Sequence, residues 1–138
     1  MSAPDFLDTN VLVYAYDVAD ARKHRIAQDL LRRAVGGEFL TSGQVLAEFA
    51  ATLLHKLSPP LGQKDITSVL DGLSPIRLVS VDGGTVRRAV ETRAAYGVHL
   101  YDALILATAE RAGCARVWSE DMNSGQEYFG VTVRNPFR

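Results

Sequence analysis

The stretch DFLDTNVL at residues 5–12 decides how the chain begins to fold. An apolar pair at residues 6–7 meets a polar corner of Asp8, Thr9 and Asn10, and a second apolar run follows. This pattern predicts a short buried strand, a corner and the first turns of a helix. Two interpretations of the corner stay open. These three residue types cap helices, and Thr9 or Asn10 can close this one, yet a carboxylate at the end of a buried strand is costly unless its charge is compensated.

The rest of the chain alternates short apolar segments with amphipathic ones. Strands are predicted at residues 39–40, 76–81, 116–118 and 131–133, and helices at residues 21–35, 42–57, 64–73, 85–96 and 101–112. Thr41 and Gln44 have the spacing of a capping box, and Gly83-Gly84 indicates a break before the fourth of these helices. The alternation predicts an α/β fold with a mainly parallel central sheet, formed by a single domain over residues 1–138.

Composition excludes several classes of protein. The chain is 47% apolar and 22% charged, which is typical of a globular domain, and it has no apolar run of membrane-spanning length. A net charge of -1 argues against binding nucleic acid by bulk electrostatics. The single cysteine, Cys114, offers neither an internal disulfide nor zinc-site spacing. Because the N-terminus also lacks the pattern of a signal peptide, we expect a cytoplasmic protein without membrane contact.

Three further acidic residues lie in informative surroundings. Asp102 opens the apolar segment YDALILATA at 101–109, which predicts a buried helix. Asp121 lies in WSEDMNSG at 118–125, just after a predicted strand. In parallel sheets, sites form at the carboxyl ends of strands, and this rule places Asp8 and Asp121 at the same edge. Glu48 belongs to the segment SGQVLAEF at 42–49.

Each of these residues also has a purely structural interpretation. An aspartate near a helix N-terminus complements the helix dipole, and Asp and Asn in a loop that ends in glycine are ordinary turn residues. Glu48 lies roughly opposite the apolar face of its helix, so periodicity alone predicts an exposed side chain. The residues taken singly therefore do not decide the question.

Taken together, four segments resemble the PIN-domain proteins, and most closely the VapC-type toxins of bacterial and archaeal toxin–antitoxin pairs. They are FLDTNVLVYA at 6–15, SGQVLAEF at 42–49, YDALILATA at 101–109 and WSEDMNSG at 118–125. The resemblance covers essentially the whole chain, with the segments in order. It implies a three-layer PIN-like domain with a mainly parallel sheet flanked by helices.

The resemblance also implies a site and a reaction. Asp8, Glu48, Asp102 and Asp121 match the acidic quartet of the family, with Asp8, Asp102 and Asp121 as metal ligands. Asn10 and Ser119 match the accompanying polar positions. Clusters built only of carboxylates favour Mg²⁺, with Mn²⁺ as a possible substitute. Metal-assisted hydrolysis of a phosphodiester is the chemistry that such a site supports. Glu120 is the alternative to Asp121 as the last acidic ligand.

The resemblance further implies an RNA substrate, a cognate antitoxin and a homodimer. Two other functions stay open. One is a non-catalytic PIN-like module that binds RNA. The other is phosphotransfer through an aspartyl phosphate at Asp8, which is disfavoured because such sites place a lysine late in the chain, whereas Lys23, Lys56 and Lys64 all lie in its first half.

Overall fold

Short apolar segments pair into a central sheet of mostly parallel strands flanked by helices, which confirms the predicted α/β fold. The computed structural model describes residues 4–138, so the predicted start of the domain at residue 1 lies outside the described residues. The strands are β1 Asp5–Leu7, β2 Phe39–Ser42, β3 Arg77–Val79, β4 Arg116–Trp118, β5 Glu127–Tyr128 and β6 Val131–Arg134. The helices are α1 Thr9–Tyr14, α2 Ala21–Val35, α3 Gly43–His55, α4 Gln63–Gly72, α5 Gly83–Tyr96 and α6 Leu100–Arg111. In this part of the chain, no helix has the length and apolar character needed to cross a bilayer.

The order of the strands places β1 inside the sheet, between β2 and β4. The sheet runs β3-β2-β1-β4-β6-β5, and all neighbouring pairs are parallel except β5 with β6. The order reverses at β1, which pairs with β2 on one side and with β4 on the other. A crevice forms at such a reversal, outside the carboxyl ends of the strands. The residues that follow β1 and β4 therefore meet at one edge.

Burial explains why β1 is fixed in this position. Phe6 and Leu7 are fully buried, and they belong to the main core together with Phe49 and Leu53 of α3 and Val117 of β4. Full burial of each such side chain contributes about 1.5–3 kcal/mol. The core thus holds the end of β1 rigidly against α3 and β4.

The helix caps differ from the sequence prediction at two positions. Ser42, not Thr41, caps α3, because its Oγ accepts a hydrogen bond from the amide of Val45 at 3.2 Å. Thr41 lies inside β2, where its hydroxyl donates to the carbonyl of Leu7 at 3.1 Å. Likewise, the first helix is capped by Asp8 itself rather than by Thr9 or Asn10.

Two other boundaries were also predicted wrongly. Gly83 and Gly84 do not break the chain but form the first turn of α5, because Asp82 caps that helix by accepting from the amide of Thr85 at 2.9 Å. A Cβ atom at Gly84 would come within 2.7 Å of the Arg111 guanidinium, so a larger residue there would displace that side chain. Strand β3 ends at Val79 rather than at residue 81, because its partner β2 turns into α3 there.

Replacement of the Ser42 cap gives a test of this arrangement. We expect Ser42→Ala to lower the free energy of unfolding by about 1 kcal/mol, because the amide of Val45 loses its acceptor, and Ser42→Gly to cost only a few tenths. Urea denaturation monitored by circular dichroism measures both. Equal stability of wild type and Ser42→Ala would contradict the assignment of this cap.

Candidate active site

Asp8 lies directly after β1 and is buried, with 2% of its surface exposed. Its backbone amide donates to the carbonyl of Trp118 at 3.1 Å, which extends the pairing of β1 with β4 by one residue. Both carboxylate oxygens accept hydrogen bonds. The amide of Thr9 donates to Oδ1 at 2.7 Å, and the hydroxyl of Ser119 donates to Oδ2 at 2.6 Å. Asp8 therefore serves as a helix cap and also faces the residue that follows β4.

Ser119 connects the ends of β1 and β4. It is fully buried, and its side-chain oxygen makes three hydrogen bonds. The hydroxyl donates to Asp8, while the same oxygen accepts from the side-chain amide of Asn10 at 3.3 Å and from the backbone amide of Asp121 at 3.1 Å. The carbonyl oxygen of the Asn10 side chain accepts from the amide of Glu120 at 3.2 Å. Ser119 thus contacts Asp8, and Asn10 contacts Ser119 and the loop that follows β4.

Glu48 reaches the same edge from α3. Periodicity alone predicts an exposed side chain, but the structure places Glu48 half-buried against α1. The hydroxyl of Thr9 donates to Glu48 Oε2 at 2.9 Å, and the side-chain amide of Gln44 donates to Oε1 at 3.0 Å. The exposed-glutamate interpretation fails because α1 packs against this side of α3 and covers it.

Asp102 lies in the first turn of α6 and is half-buried. Its carboxylate accepts no hydrogen bond from any residue between 4 and 138, so its structural contribution to α6 is limited to the interaction of its charge with the helix dipole. The pKa of Asp102 is raised, first by burial and then by the negative charges of Asp121 and Glu48, while His99 acts in the opposite direction. The carboxylates thus lie close enough to influence one another.

The pKa of Asp8 gives the clearest electrostatic signal at this edge. Burial raises it from the ordinary 3.8 to about 6. The hydrogen bonds from Ser119 and Thr9 lower the pKa in part, and the charges of Asp121 and Asp102 raise it further. An aspartate that is this buried, and whose pKa is raised further by the charges of two other aspartates, calls for a cationic partner when it ionises.

Glu120 and Asp121 are adjacent in sequence but differ in their contacts. Glu120 forms an ion pair with Lys23 and accepts a hydrogen bond from the Tyr14 hydroxyl at 2.7 Å. Asp121 is exposed at the rim of the site, and its carboxylate has no hydrogen-bond donor within the described part of the chain. Because the charge of Asp121 acts on both Asp8 and Asp102, it is the nearer of the two residues to the other acids.

The donor chemistry of this edge fits a hard divalent cation. All four predicted residues offer carboxylate oxygens, and those of Asp102 and Asp121 have no competing donor in residues 4–138. The side chains nevertheless do not converge fully: among the described residues, no group of three or more His, Cys, Asp or Glu side chains is arranged to hold a metal ion. Mutual repulsion keeps uncompensated carboxylates apart. The ligand set therefore stays a prediction.

A cavity of about 550 Å³ opens beside the acidic edge, between α1 and α3. Asn10, Glu48 and Asp121 line it at the site, and His55 and Lys56 line it at the end of α3. The distance from Glu48 to His55 along α3 is seven residues, or about 10 Å. The site is thus open to an extended ligand along this helix.

Several residues in contact with the site were not predicted to belong to it. Thr9 and Gln44 hold Glu48, and Lys23 and Tyr14 hold Glu120. Gln44 and Glu48 are spaced as neighbours one helical turn apart, which is visible in the sequence, whereas the capping-box pattern pairs Gln44 with Thr41. The contacts of Lys23 join residues almost a hundred positions apart, and no local pattern indicates them.

Removal of the Ser119 hydroxyl tests the hydrogen-bond network. At pH 8, where Asp8 is ionised, we expect Ser119→Ala to lower the free energy of unfolding by about 2 kcal/mol, because a buried carboxylate loses a donor. The exposed Ser80 gives a matched control, and Ser80→Ala should be neutral within about 0.5 kcal/mol. Urea denaturation measures both variants. A Ser119→Ala protein as stable as its control would contradict the network.

Comparisons with known proteins identify the family and the fold. Residues 6–124 match the family model described as the PIN domain. No curated protein sequence matches the chain. Among solved structures, the chain is similar to a toxin–antitoxin complex from Klebsiella pneumoniae, with a TM-score of 0.69 and 19% identity over 96% of this chain and 97% of the other.

Two further solved structures have the same fold. One is VapBC2 from Rickettsia felis bound to a DNA fragment from its promoter, with a TM-score of 0.67 and 19% identity over 94% of this chain and 96% of the other. The other is VapC20 from Mycobacterium tuberculosis, described as a toxin that cleaves the sarcin–ricin loop, with a TM-score of 0.65 and 20% identity over 84% and 88%. At these identities the similarity establishes the fold.

Proposed function

The chain belongs to the PIN-domain family, and from this premise we propose that it is a metal-dependent endoribonuclease that acts as the toxin of a toxin–antitoxin pair. One observation carries the proposal. A buried aspartate at the strand-order reversal, Asp8, has its pKa raised to about 6 and is influenced by the carboxylates of Asp102 and Asp121. Structural capping alone does not require three acids at one edge of a sheet.

In this proposal Asp8, Asp102 and Asp121 hold Mg²⁺, and Mn²⁺ can substitute for it. A bound divalent cation supplies Lewis-acid stabilisation of the phosphodiester and of the charge that develops on it. Glu48, held by Thr9 and Gln44, orients water or contributes to a second cation position. Ser119 fixes Asp8 by a hydrogen bond, and Asn10 fixes Ser119 and the loop that follows β4 in the same way. Such hydrogen-bond partners hold metal ligands in the orientation that metal binding requires.

The substrate that we propose is RNA, in a single-stranded or loop region whose backbone can enter the open edge. The cavity between α1 and α3 provides the path. At its far end Lys56 offers positive charge to a phosphate, and His55 lies beside it. VapC20, which has the same fold, is described as cleaving the sarcin–ricin loop. The low net charge of -1 means that such contacts are local rather than spread over the whole surface.

The proposed partners are a cognate antitoxin and a second copy of the chain. Two proteins of the same fold are described as toxin–antitoxin assemblies, which supports an antitoxin for this chain. Co-purification with the product of a neighbouring gene tests the first partner, and light scattering of the purified chain tests the homodimer. The aspartyl-phosphate alternative loses further support, because Lys23 contacts Glu120 rather than Asp8.

The proposal is tested with purified protein that is free of any antitoxin. We expect total cellular RNA to yield discrete cleavage products in Mg²⁺ and none when a chelator replaces the metal. Cleavage in chelator would overturn the metal-dependent mechanism. Binding of RNA without cleavage, in the presence of Mg²⁺ or Mn²⁺, would instead establish the non-catalytic alternative.

A further inference from the structure

The loop that follows β4 carries two adjacent acids, and only one of them is free. Both oxygens of Glu120 are occupied, Oε2 by the ammonium of Lys23 and Oε1 by the hydroxyl of Tyr14 at 2.7 Å. The carboxylate of Asp121 has no donor anywhere in residues 4–138. Since Mg²⁺ and Mn²⁺ both prefer carboxylate oxygens, an unpaired Glu120 would compete with its neighbour for the same cation.

Lys23 is itself held in a defined position. Its ammonium lies 4.9 Å from the centre of the Tyr14 ring and 5.8 Å from that of Phe137, and it donates to the Tyr14 hydroxyl at 3.3 Å. The two rings meet edge to face at 5.0 Å, and Arg22 donates to the carbonyl of Phe137 at 2.6 Å. The ammonium group of Lys23 is thus held in place by α1, α2 and the C-terminal residues together.

The contact between Lys23 and Glu120 differs from an ordinary surface ion pair. Each side chain is only 27% exposed, whereas the Arg32–Asp29 pair on α2 is 71% and 62% exposed. Exposed pairs contribute little because water screens them, and partial burial strengthens the attraction. The backbone of Glu120 is anchored as well, through its amide to Asn10 at 3.2 Å. Glu120 is therefore held through its side chain and through its backbone.

From these contacts we propose that Lys23, with Tyr14, is a positioning residue that keeps Glu120 turned away from the acidic edge and so leaves Asp121 as the carboxylate available to a divalent cation. The inference rests on the proposed function, since it deepens the account of the same metal site. It assigns a role to α2, which contributes no acid of its own to the site.

The test measures Mn²⁺ affinity by calorimetry, without RNA. In the wild-type background we expect Asp121→Asn to weaken Mn²⁺ binding about 10–100-fold and Glu120→Gln to change it by less than about twofold. In a Lys23→Met background, Glu120 is released and replaces Asp121. Asp121→Asn should then cost less than about threefold, and adding Glu120→Gln should restore the large loss. Lys23→Arg should behave as wild type.

The outcomes separate the inference from the proposed function. An equal cost of Asp121→Asn in the wild-type and Lys23→Met backgrounds would overturn the inference, as would the absence of Mn²⁺ binding by wild type. The predicted Mn²⁺ pattern in a protein that leaves RNA intact would support the inference and refute the nuclease.

The methionine in Lys23→Met retains an apolar stem against Tyr14 and Phe137, which favours folding. Should that variant fail to fold, Tyr14→Phe removes one donor to Glu120 while the ring stays. It should then lower the cost of Asp121→Asn, and an unchanged cost would overturn the inference.

Discussion

Replacement of Asp8 by asparagine is expected to reduce RNA cleavage by about 1,000-fold or more, equivalent to about 4 kcal/mol of transition-state stabilisation. Asparagine keeps the shape of the side chain and remains a good helix cap, so α1 should persist. What disappears is the negative charge that the proposed cation requires. Cleavage of a defined RNA in Mg²⁺ measures the loss, and activity within about tenfold of wild type would contradict a catalytic role for Asp8.

The same substitution should stabilise the protein when no metal is present. The interval between the ordinary pKa of 3.8 and the folded-state pKa of about 6 corresponds to about 3 kcal/mol of unfavourable charge burial above pH 6. Thr9 and Ser119 donate to different oxygens of Asp8, and in asparagine an NH2 donor replaces one of these oxygens. The loss of one of the two hydrogen bonds in its present form offsets part of this gain. We therefore expect Asp8→Asn to raise the free energy of unfolding in chelator at pH 8 by about 1 kcal/mol.

The pH dependence of this effect has a definite sign. Between pH 3.8 and about 6, the folded wild type binds a proton at Asp8 that the unfolded chain has lost. Its contribution to stability therefore falls as pH rises through this interval and levels off above it. Asp8→Asn should lack this fall. Denaturation in chelator at pH 4.5 and pH 8 measures it, and a variant less stable than wild type at pH 8 would contradict the cost assigned to Asp8.

Replacement of Asp102 by asparagine should separate activity from stability. We expect cleavage to fall about 100-fold or more, because a proposed ligand is lost. The free energy of unfolding should change by no more than about 0.5 kcal/mol, since the lost interaction with the α6 dipole is offset by relief of repulsion from Asp121 and Glu48. Cleavage assays and urea denaturation measure the two effects.

Asp65 provides a matched control for Asp102. It also lies in the first turn of a helix, α4, but is exposed and belongs to no acidic cluster. Asp65→Asn should lose the dipole interaction and leave cleavage unchanged. Equal activity of the Asp102→Asn and Asp65→Asn variants would show that Asp102 has only a structural role.

The parts of the fold that follow from local patterns were predictable. The apolar pair at residues 6–7 followed by a polar corner indicated β1 and α1, and the alternation of strands with helices indicated the parallel sheet. The rule that sites form at strand ends then placed Asp8 near Asp121. These inferences succeed because hydrophobic burial acts on short segments whose periodicity is visible in the sequence.

Features that depend on tertiary pairing were not predictable in this way. Ser42 rather than Thr41 caps α3 because β2 pairs with β3 up to residue 42. Strand β5 has only two residues and is formed through its pairing with β6. Glu48 contacts Thr9 because α1 covers that side of α3, which periodicity within α3 cannot reveal. Only resemblance to the PIN family placed Glu48 at the site.

We propose that RNA is hydrolysed at the acidic edge and that the reaction requires a divalent cation held by its carboxylates. The most direct measurement is the single-turnover cleavage rate of one defined RNA as Mg²⁺ is increased from zero, for wild type, Asp8→Asn and the exposed control Asp71→Asn. We predict a saturable rise for wild type and Asp71→Asn and no measurable rate for Asp8→Asn at any Mg²⁺ concentration. Cleavage by wild type in chelator, or an Asp8→Asn rate equal to that of the control, would contradict the claim.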